Sequence, residues 1–183
     1  VIHTVDDATR TLVRFDDPKS VPQLELTGPI TCSNNPAQIS VTLSMKNLPV
    51  NITGYAAFLD YDTAILSYNE SASSYLFEGG SEFPLHINPG SPKPEEVAVG
   101  QINANASAAP FQPGTSADTD LATLVFDVIG CGEASVGFRP ASPFNSEVST
   151  QGIPLVTELI EASFVIDNGD APIASSIDAP DVS

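Results

Sequence analysis

Between residues 52 and 68, the sequence ITGYAAFLDYDTAILSY alternates between two sets of side chains with a period of two. This period belongs to an extended strand, whose successive side chains point to opposite faces, and not to an α-helix. The segment DTA at 62–64 interrupts the alternation. We therefore predict a central β-strand, with Tyr55, Ala57, Leu59 and Tyr61 on one face and Gly54, Ala56, Phe58 and Asp60 on the other.

The rest of the chain repeats this pattern in shorter pieces. Residues 39–46 and 121–129 alternate clearly, and 97–102, 134–138 and 155–166 are further strand-like segments. The chain has 16 prolines and 12 glycines, which punctuate these segments. We predict loops at 71–80, with one helical turn around 75–77, and at 104–120. About seven to nine strands with almost no helical periodicity predict an all-β fold, a single jelly-roll or immunoglobulin-like β-sandwich.

Composition divides the chain into three parts. The sandwich occupies residues 32–167, and an N-terminal strand-forming arm, residues 1–31, precedes it. Residues 168–183 are rich in Pro, Ala, Ser and Asp, which is typical of a tail or linker.

The charge balance excludes two classes of partner. Six basic residues face 23 acidic ones, so the net charge of −17 repels nucleic acids and anionic lipid. The sequence has no run of about 18 apolar residues, so we expect no membrane span.

The chain begins at Val1 without a signal peptide. We expect a mature chain or fragment of a secreted protein that is extracellular or at the cell surface.

Two features agree with the secretory pathway. Cys32 and Cys131 are the only cysteines, and a disulfide between them would close a loop of about 100 residues, worth roughly 4–5 kcal/mol. A metal or redox pair is the alternative, but the chain has no CxxC motif.

Three Asn-x-Ser/Thr sequons, in predicted turns or loops, make the protein a candidate glycoprotein, although chance also produces such triplets. They begin at Asn51, Asn69 and Asn105.

The arm is the least acidic part of the chain. It carries 3 basic and 5 acidic residues, whereas the other 152 residues carry 3 basic and 18 acidic. It should therefore dock against an acidic body more easily than any other segment.

Phe58, Val125 and Ile129 place apolar side chains on the second face of both strong strands, which an added layer would cover. We expect assembly contacts from Phe58 and from the arm residues Ile2, Val5, Leu12, Val13 and Phe15.

Four segments carry a family resemblance: VTLSMKNLP at 41–49, ITGYAAFLDYD at 52–62 followed by AIL at 64–66, LATLVFDV at 121–128, and GIPLVTELIEASFVI at 152–166. Their order resembles the cohesin domain, within a wider group of jelly-roll domains similar to carbohydrate-binding modules. The resemblance covers residues 38–167 and implies a β-sandwich that binds a dockerin-type partner. Thr63 stands where the family usually has proline after the Tyr-Asp pair, and the arm lies outside the family core.

Oxygen-rich clusters are the only candidates for a cofactor, which would be Ca²⁺. Turn formation and solvation are the alternatives for each of them. The two histidines, His3 and His86, have no Ser/His/Asp context, so we expect no enzyme activity. The candidate calcium ligands are Asp60, Asp62, Asp167 and Asp170.

Three functions remain at this point. The first is a secreted structural module that polymerises head to tail into an adhesive filament or fibril, because the arm of one subunit adds a strand to the sheet of the next. The second is a cohesin-like receptor for a dockerin-type or peptide partner. The third is a carbohydrate-binding module, which the absence of Trp makes less favoured.

Overall fold

The computed structural model describes residues 21–29, 31–32, 36–76, 82–86, 94–140 and 144–167. Within them the chain forms two β-sheets packed face to face, which confirms the predicted all-β sandwich. The predicted assembly residues Ile2, Val5, Leu12, Val13 and Phe15, the residue Asp170 and the tail lie outside the described part.

The strands are mostly short. β1 is Gln23–Thr27, β2 Thr31–Cys32, β3 Gln38–Lys46, β4 Gly54–Tyr61, β5 Leu66–Tyr68, β6 Ser74–Tyr75 and β7 Leu85–His86. β8 is Gln101–Ser107, β9 Thr119–Val128, β10 Gly132–Phe138, β11 Glu147–Thr150, β12 Ile153–Pro154, β13 Glu158–Ile160 and β14 Ala162–Ile166. Besides these strands, a 3-10 turn covers Glu70–Ala72 and a single helical turn, α1, covers Pro94–Val97. No helix in the described ranges is long and apolar enough to cross a membrane.

Sheet A has the strand order β13-β1-β3-β9-β5, with β6 also paired to β9. Its centre is the antiparallel pair β3–β9, in which Val41 lies opposite Leu124 and Ile39 opposite Phe126. These are the two segments with the clearest alternation in the sequence. β3 buries its apolar set and exposes Gln38 and Ser40 on the other face, as a half-buried strand requires, whereas β9 also buries Val125 on its second face.

Sheet B is organised around β4, the predicted central strand. One edge of β4 pairs with β8 over its full length, and the other edge pairs with β10 and then with β11. β14 and β2 extend the sheet beyond β10. The inward residues Tyr55, Ala57, Leu59 and Tyr61 are all buried, as the period-two pattern predicts.

The core lies between the two sheets. Phe126 of β9 is fully buried, and its ring lies 5.2 Å from that of Tyr61 and 5.8 Å from that of Tyr68, centre to centre. Phe83 fills the other end, with its ring centre 5.6 Å from that of Tyr55. Large side chains from both sheets therefore fix the sandwich spacing.

Four predicted elements differ from the structure. The predicted strand at 97–102 and the start of the predicted loop at 104–120 are replaced by α1 and then by β8. In the predicted helical turn around 75–77, Tyr75 belongs to β6, Leu76 is in a 3-10 conformation and residue 77 lies outside the described part; a separate 3-10 turn covers Glu70–Ala72. The segment 155–166 divides into β13, which pairs with β1 in sheet A, and β14, which pairs with β10 in sheet B. The described end of the arm forms β1, which pairs with β3 of its own chain.

The predicted disulfide is not formed, since Cys131 is a free and exposed cysteine. The sheet register gives the reason. Cys32 pairs with Ile166 on one edge of β14, whereas Gly132, next to Cys131, pairs with Ile166 on the other edge. The two backbones are two strand spacings apart, and each spacing is about 4.8 Å. Their separation of roughly 9.6 Å exceeds the limit of about 7 Å between the Cα atoms of a disulfide.

Candidate functional site

The outer face of sheet B is formed by the side chains that alternate with the core set. On β4 these are Ala56, Phe58 and Asp60, and the register places Phe58 beside Asn103 and Asp60 beside Gln101. On the other edge of β4, Gly137 lies opposite Asp60 and the Arg139 N–H donates to the Phe58 carbonyl at 2.9 Å. The face thus has the aromatic side chain of Phe58 near its centre.

Phe58 packs against its own chain, and its predicted assembly contact with a neighbouring subunit stays a prediction. Its ring lies 5.3 Å from that of Phe144, centre to centre. The Arg139 guanidinium carbon lies 4.9 Å from the centre of the Phe144 ring and 5.9 Å from that of Phe58. The cation therefore stacks on two aromatic rings, a favourable contact for a guanidinium group.

Arg139 is a buried cation, only 4% exposed. Its Nε donates to the Leu59 carbonyl at 3.3 Å and lies 3.4 Å from Asp60 Oδ1. Its Nη2 has no hydrogen-bond partner in the described part of the chain. A buried guanidinium normally satisfies all of its donors, so Nη2 is a donor that still lacks an acceptor.

Three buried polar atoms on this face make no hydrogen bond within the described residues, although one of them, Asp60 Oδ1, forms the ion pair with Arg139 Nε. They are Arg139 Nη2, Asp60 Oδ1 and Asn103 Oδ1, and the only other buried side-chain atom of this kind among the described residues is the Tyr55 hydroxyl in the core. All three belong to residues next to Phe58 in the sheet. The Asp60 side chain is 46% exposed, so the cluster reaches the surface through it.

The outer face of sheet A is different, because its polar groups pair with one another. Lys46 Nζ lies 2.5 Å from Glu25 Oε2, and this hydrogen bond is the main cause that raises the pKa of Lys46. Gln38 and Asn69 donate to the Asp127 carboxylate and lower the pKa of that group. These pairs leave sheet A with few polar groups in need of a partner.

Asp60, Asp62 and Asp167, the candidate calcium ligands that the structure describes, do not come together in a site. Asp62 Oδ1 accepts from the Ala64 N–H at 2.9 Å and so closes a turn, and Asp60 faces Arg139. Asp167 follows the end of β14. Within the described ranges no three His, Cys, Asp or Glu side chains are grouped so that they could hold a metal ion.

The sequon asparagines lie in three settings, and their glycosylation stays a prediction. Asn51 is exposed before β4. Asn69 caps the 3-10 turn, and its Oδ1 accepts from the Ala72 N–H. Asn105 lies within β8 rather than in the predicted loop, and its Oδ1 accepts from the Ala57 N–H at 3.1 Å.

Sequence reasoning missed Arg139 and Phe144. Both contact Phe58, which lies more than 80 residues earlier in the sequence, and only the folded chain shows that contact. One signal was present: outside the arm the chain has only three basic residues. A single arginine beside alternating apolar residues in such an acidic chain is a candidate for a paired, specific position.

Comparisons with known proteins agree with this architecture. The seventh ScaB type I cohesin from Pseudobacteroides cellulosolvens superposes with a TM-score of 0.60 at 15% identity, over 84% of this chain and 96% of that one. This is the cohesin fold. The Coh-OlpA–Doc918 cohesin–dockerin complex from Clostridium thermocellum gives a TM-score of 0.57 at 14% identity, over 80% and 99% of the two chains. A type II cohesin from the cellulosome of Acetivibrio cellulolyticus gives 0.57 at 15%, over 79% and 95%.

The likeness is confined to structure. No protein-family model matches the sequence, and no curated protein matches it either. The resemblance to cohesins stated from the sequence motifs is therefore confirmed at the level of fold.

Proposed function

We propose that this chain is a non-enzymatic, extracellular recognition module that holds a protein partner of the dockerin type on the outer face of sheet B. Support comes from the fold, since solved cohesins with this architecture include complexes with dockerins. The fold alone does not fix a function, so the proposal depends on the face itself.

One observation carries the proposal: the charged groups of sheet A described above are paired, whereas two buried polar atoms beside Phe58 on sheet B, Arg139 Nη2 and Asn103 Oδ1, have no hydrogen-bond partner in the described part of the chain. Unpaired buried polar groups lower stability, and a partner that supplies the missing hydrogen bonds recovers that free energy on binding. A central aromatic and an arginine, ringed by polar side chains, are also typical of the residues that dominate protein interfaces.

The charges indicate what the partner contributes. Arg139 Nη2 lacks an acceptor, such as a carbonyl or carboxylate oxygen, whereas Asn103 Oδ1 lacks a donor. Because the chain has a net charge of −17, a partner surface with basic side chains would also associate faster at low salt.

The test is calorimetric titration of the full chain with a panel of dockerin modules. Ser135 and Ser40 are both exposed serines in the middle of strands, on the outer faces of sheets B and A respectively. Ser135→Arg should abolish binding by blocking the face, whereas Ser40→Arg should bind as the unchanged protein does. Equal loss in both variants, or in neither, would refute the assignment of the face.

The filament reading has less support. Phe58, one of its proposed contacts, packs against Phe144 and Arg139 and belongs equally to the receptor proposal, so it does not favour the filament, and β1 pairs within its own sheet. The remaining contacts belong to arm residues outside the described ranges. Electron microscopy of the intact chain beside a variant that lacks residues 1–29 separates the two readings. Fibres formed only by the intact chain would restore the filament.

A further inference from the structure

Phe111 is displayed to solvent in an unusual backbone conformation. It is fully exposed, at 105% of the reference area. It follows Pro110 in a turn that the Gln112 N–H closes on the Ala109 carbonyl at 3.1 Å, and its φ is +68°. A turn with proline at its second residue and a positive φ at its third normally has Gly or Asn there. Neither burial nor turn geometry therefore explains a phenylalanine at this position.

Phe111 borders a cleft of about 550 Å³ at the end of sheet B. One wall is the loop 108–113, and the other is the hairpin turn between β11 and β12. Thr53 and Ser107 lie between the two walls. The volume falls within the range of about 300–1,000 Å³ that is usual for small-ligand sites.

Hydrogen bonds to Thr53 hold both walls in place. Its carbonyl accepts from the Ala108 N–H at 2.8 Å, and its own N–H donates to the Ser149 carbonyl at 2.8 Å. Its Oγ1 accepts from the Gln151 N–H at 2.7 Å. The cleft is therefore pre-formed, which lowers the entropic cost of binding a ligand.

None of the described residues that line the cleft has an ionisable side chain, although the protein has a net charge of −17. Four other cavities of the described residues each include an acidic residue: Asp62 and Glu133, Glu70, Glu82, and Glu147. The cleft instead offers an aromatic ring, the exposed amides of Gln112 and Gln151, and serine hydroxyls. This set suits a ligand that is neutral, rich in hydroxyl groups and apolar on one face.

We propose that this cleft binds a neutral saccharide, with Phe111 stacked against a sugar ring and the two glutamine amides bonded to its hydroxyl groups. The site is separate from the outer face of sheet B around Phe58 and does not depend on the dockerin-type partner. A peptide would compete for the same aromatic ring, and the experiment separates the two ligands.

The test uses saturation-transfer NMR on the full, unglycosylated chain, so that no sugar on Asn51 occupies the cleft. The probes are cellotetraose, xylotetraose and mannotetraose, with tetragalacturonate as the charged comparison and a neutral Gly/Ser/Tyr peptide as the competing class. Phe111→Gly removes the ring and also suits the positive φ, so the variant should fold at least as well. Val156→Ala is the matched control, because Val156 is an exposed apolar residue outside the cleft.

We expect at least one neutral tetrasaccharide to bind, with affinity reduced about tenfold in Phe111→Gly and unchanged in Val156→Ala and Ser135→Arg. The proposal is overturned if no neutral saccharide binds, if tetragalacturonate or the peptide binds as tightly, or if Phe111→Gly binds as well as the unchanged chain. Retained binding in Ser135→Arg would keep this site distinct even if the dockerin-type function failed.

Discussion

Arg139 Nε lies 3.4 Å from Asp60 Oδ1, and the two side chains differ sharply in burial: 3% of the Arg139 side chain is exposed, against 46% of that of Asp60. The cation is thus enclosed by Phe58 and Phe144, while its counter-ion connects it to the surface. This pairing joins the stability of sheet B to its outer face.

The first prediction concerns the strength of this pair. In a double-mutant cycle of Asp60→Asn and Arg139→Met, we expect a coupling free energy of about 1 kcal/mol, because water screens the half-exposed Asp60. Arg139→Met should cost little, since an apolar side chain of similar length fills the space beside the two rings. Urea unfolding of the four proteins measures the cycle, and a coupling near zero would mean that the pair is incidental.

A second prediction compares two buried tyrosines. The Tyr55 hydroxyl has no hydrogen-bond partner among the described residues, whereas the Tyr61 hydroxyl donates to the Val97 carbonyl at 2.8 Å. Tyr55→Phe should therefore leave the free energy of unfolding unchanged or raise it, and Tyr61→Phe should lower it by about 1 kcal/mol. Thermal and urea unfolding test the order, and a larger loss in Tyr55→Phe would contradict it.

The third prediction is a loss of stability at alkaline pH. Burial raises the pKa of Tyr55 and of Tyr61 above the ordinary value of 10.0. Above about pH 10 these groups lose protons in the unfolded chain but keep them in the folded one, so the free energy of unfolding falls as pH rises. Tyr55→Phe should show a shallower fall in urea unfolding between about pH 9 and 11. Parallel curves for the two proteins would contradict the assignment to Tyr55.

The fourth prediction separates two glycines that both have positive φ, Gly114 at +70° and Gly152 at +78°. A Cβ on Gly114 would lie 2.0 Å from the Ile52 carbonyl oxygen, whereas one on Gly152 would meet nothing within 4 Å. Gly152→Ala should cost about 1 kcal/mol from backbone strain alone. Gly114→Ala should cost about 3 kcal/mol or more, because the Ile52–Thr115 bridge must move. Equal losses in urea unfolding would refute the difference.

The fold was predictable where the pattern was strong. β3 and β4 alternate between a buried apolar set and more exposed residues, and burial follows that alternation, whereas β9 also buries Val125 on its second face. β8 was missed over most of its length, because its sequence QINANAS pairs small alanines with asparagines, residues that are uncommon in strands. The segment 155–166 looks like one strand, although it crosses between sheets near Glu161.

The candidate sites were less predictable, because they depend on contacts between distant segments. Phe58 was identified from the pattern, but its cover by Arg139 and Phe144 follows from a loop that no periodicity describes. The expected Cys32–Cys131 disulfide was inferred from the oxidising environment of the secretory pathway. That inference says nothing about the sheet position of each cysteine, and β14 separates the two backbones. Phe111 lies in a proline-containing loop, and its exposure follows from the turn conformation.

The most direct test of the account is amide chemical-shift mapping of the isotopically labelled chain while a dockerin module is added. We predict that the largest shifts fall on β4, β8 and β10, centred on Phe58, Asn103 and Arg139. Amides of β1 and β3, on the outer face whose polar groups are already paired, should stay unchanged. Shifts centred on β3 and β9 instead would contradict the assignment of the partner to the outer face of sheet B.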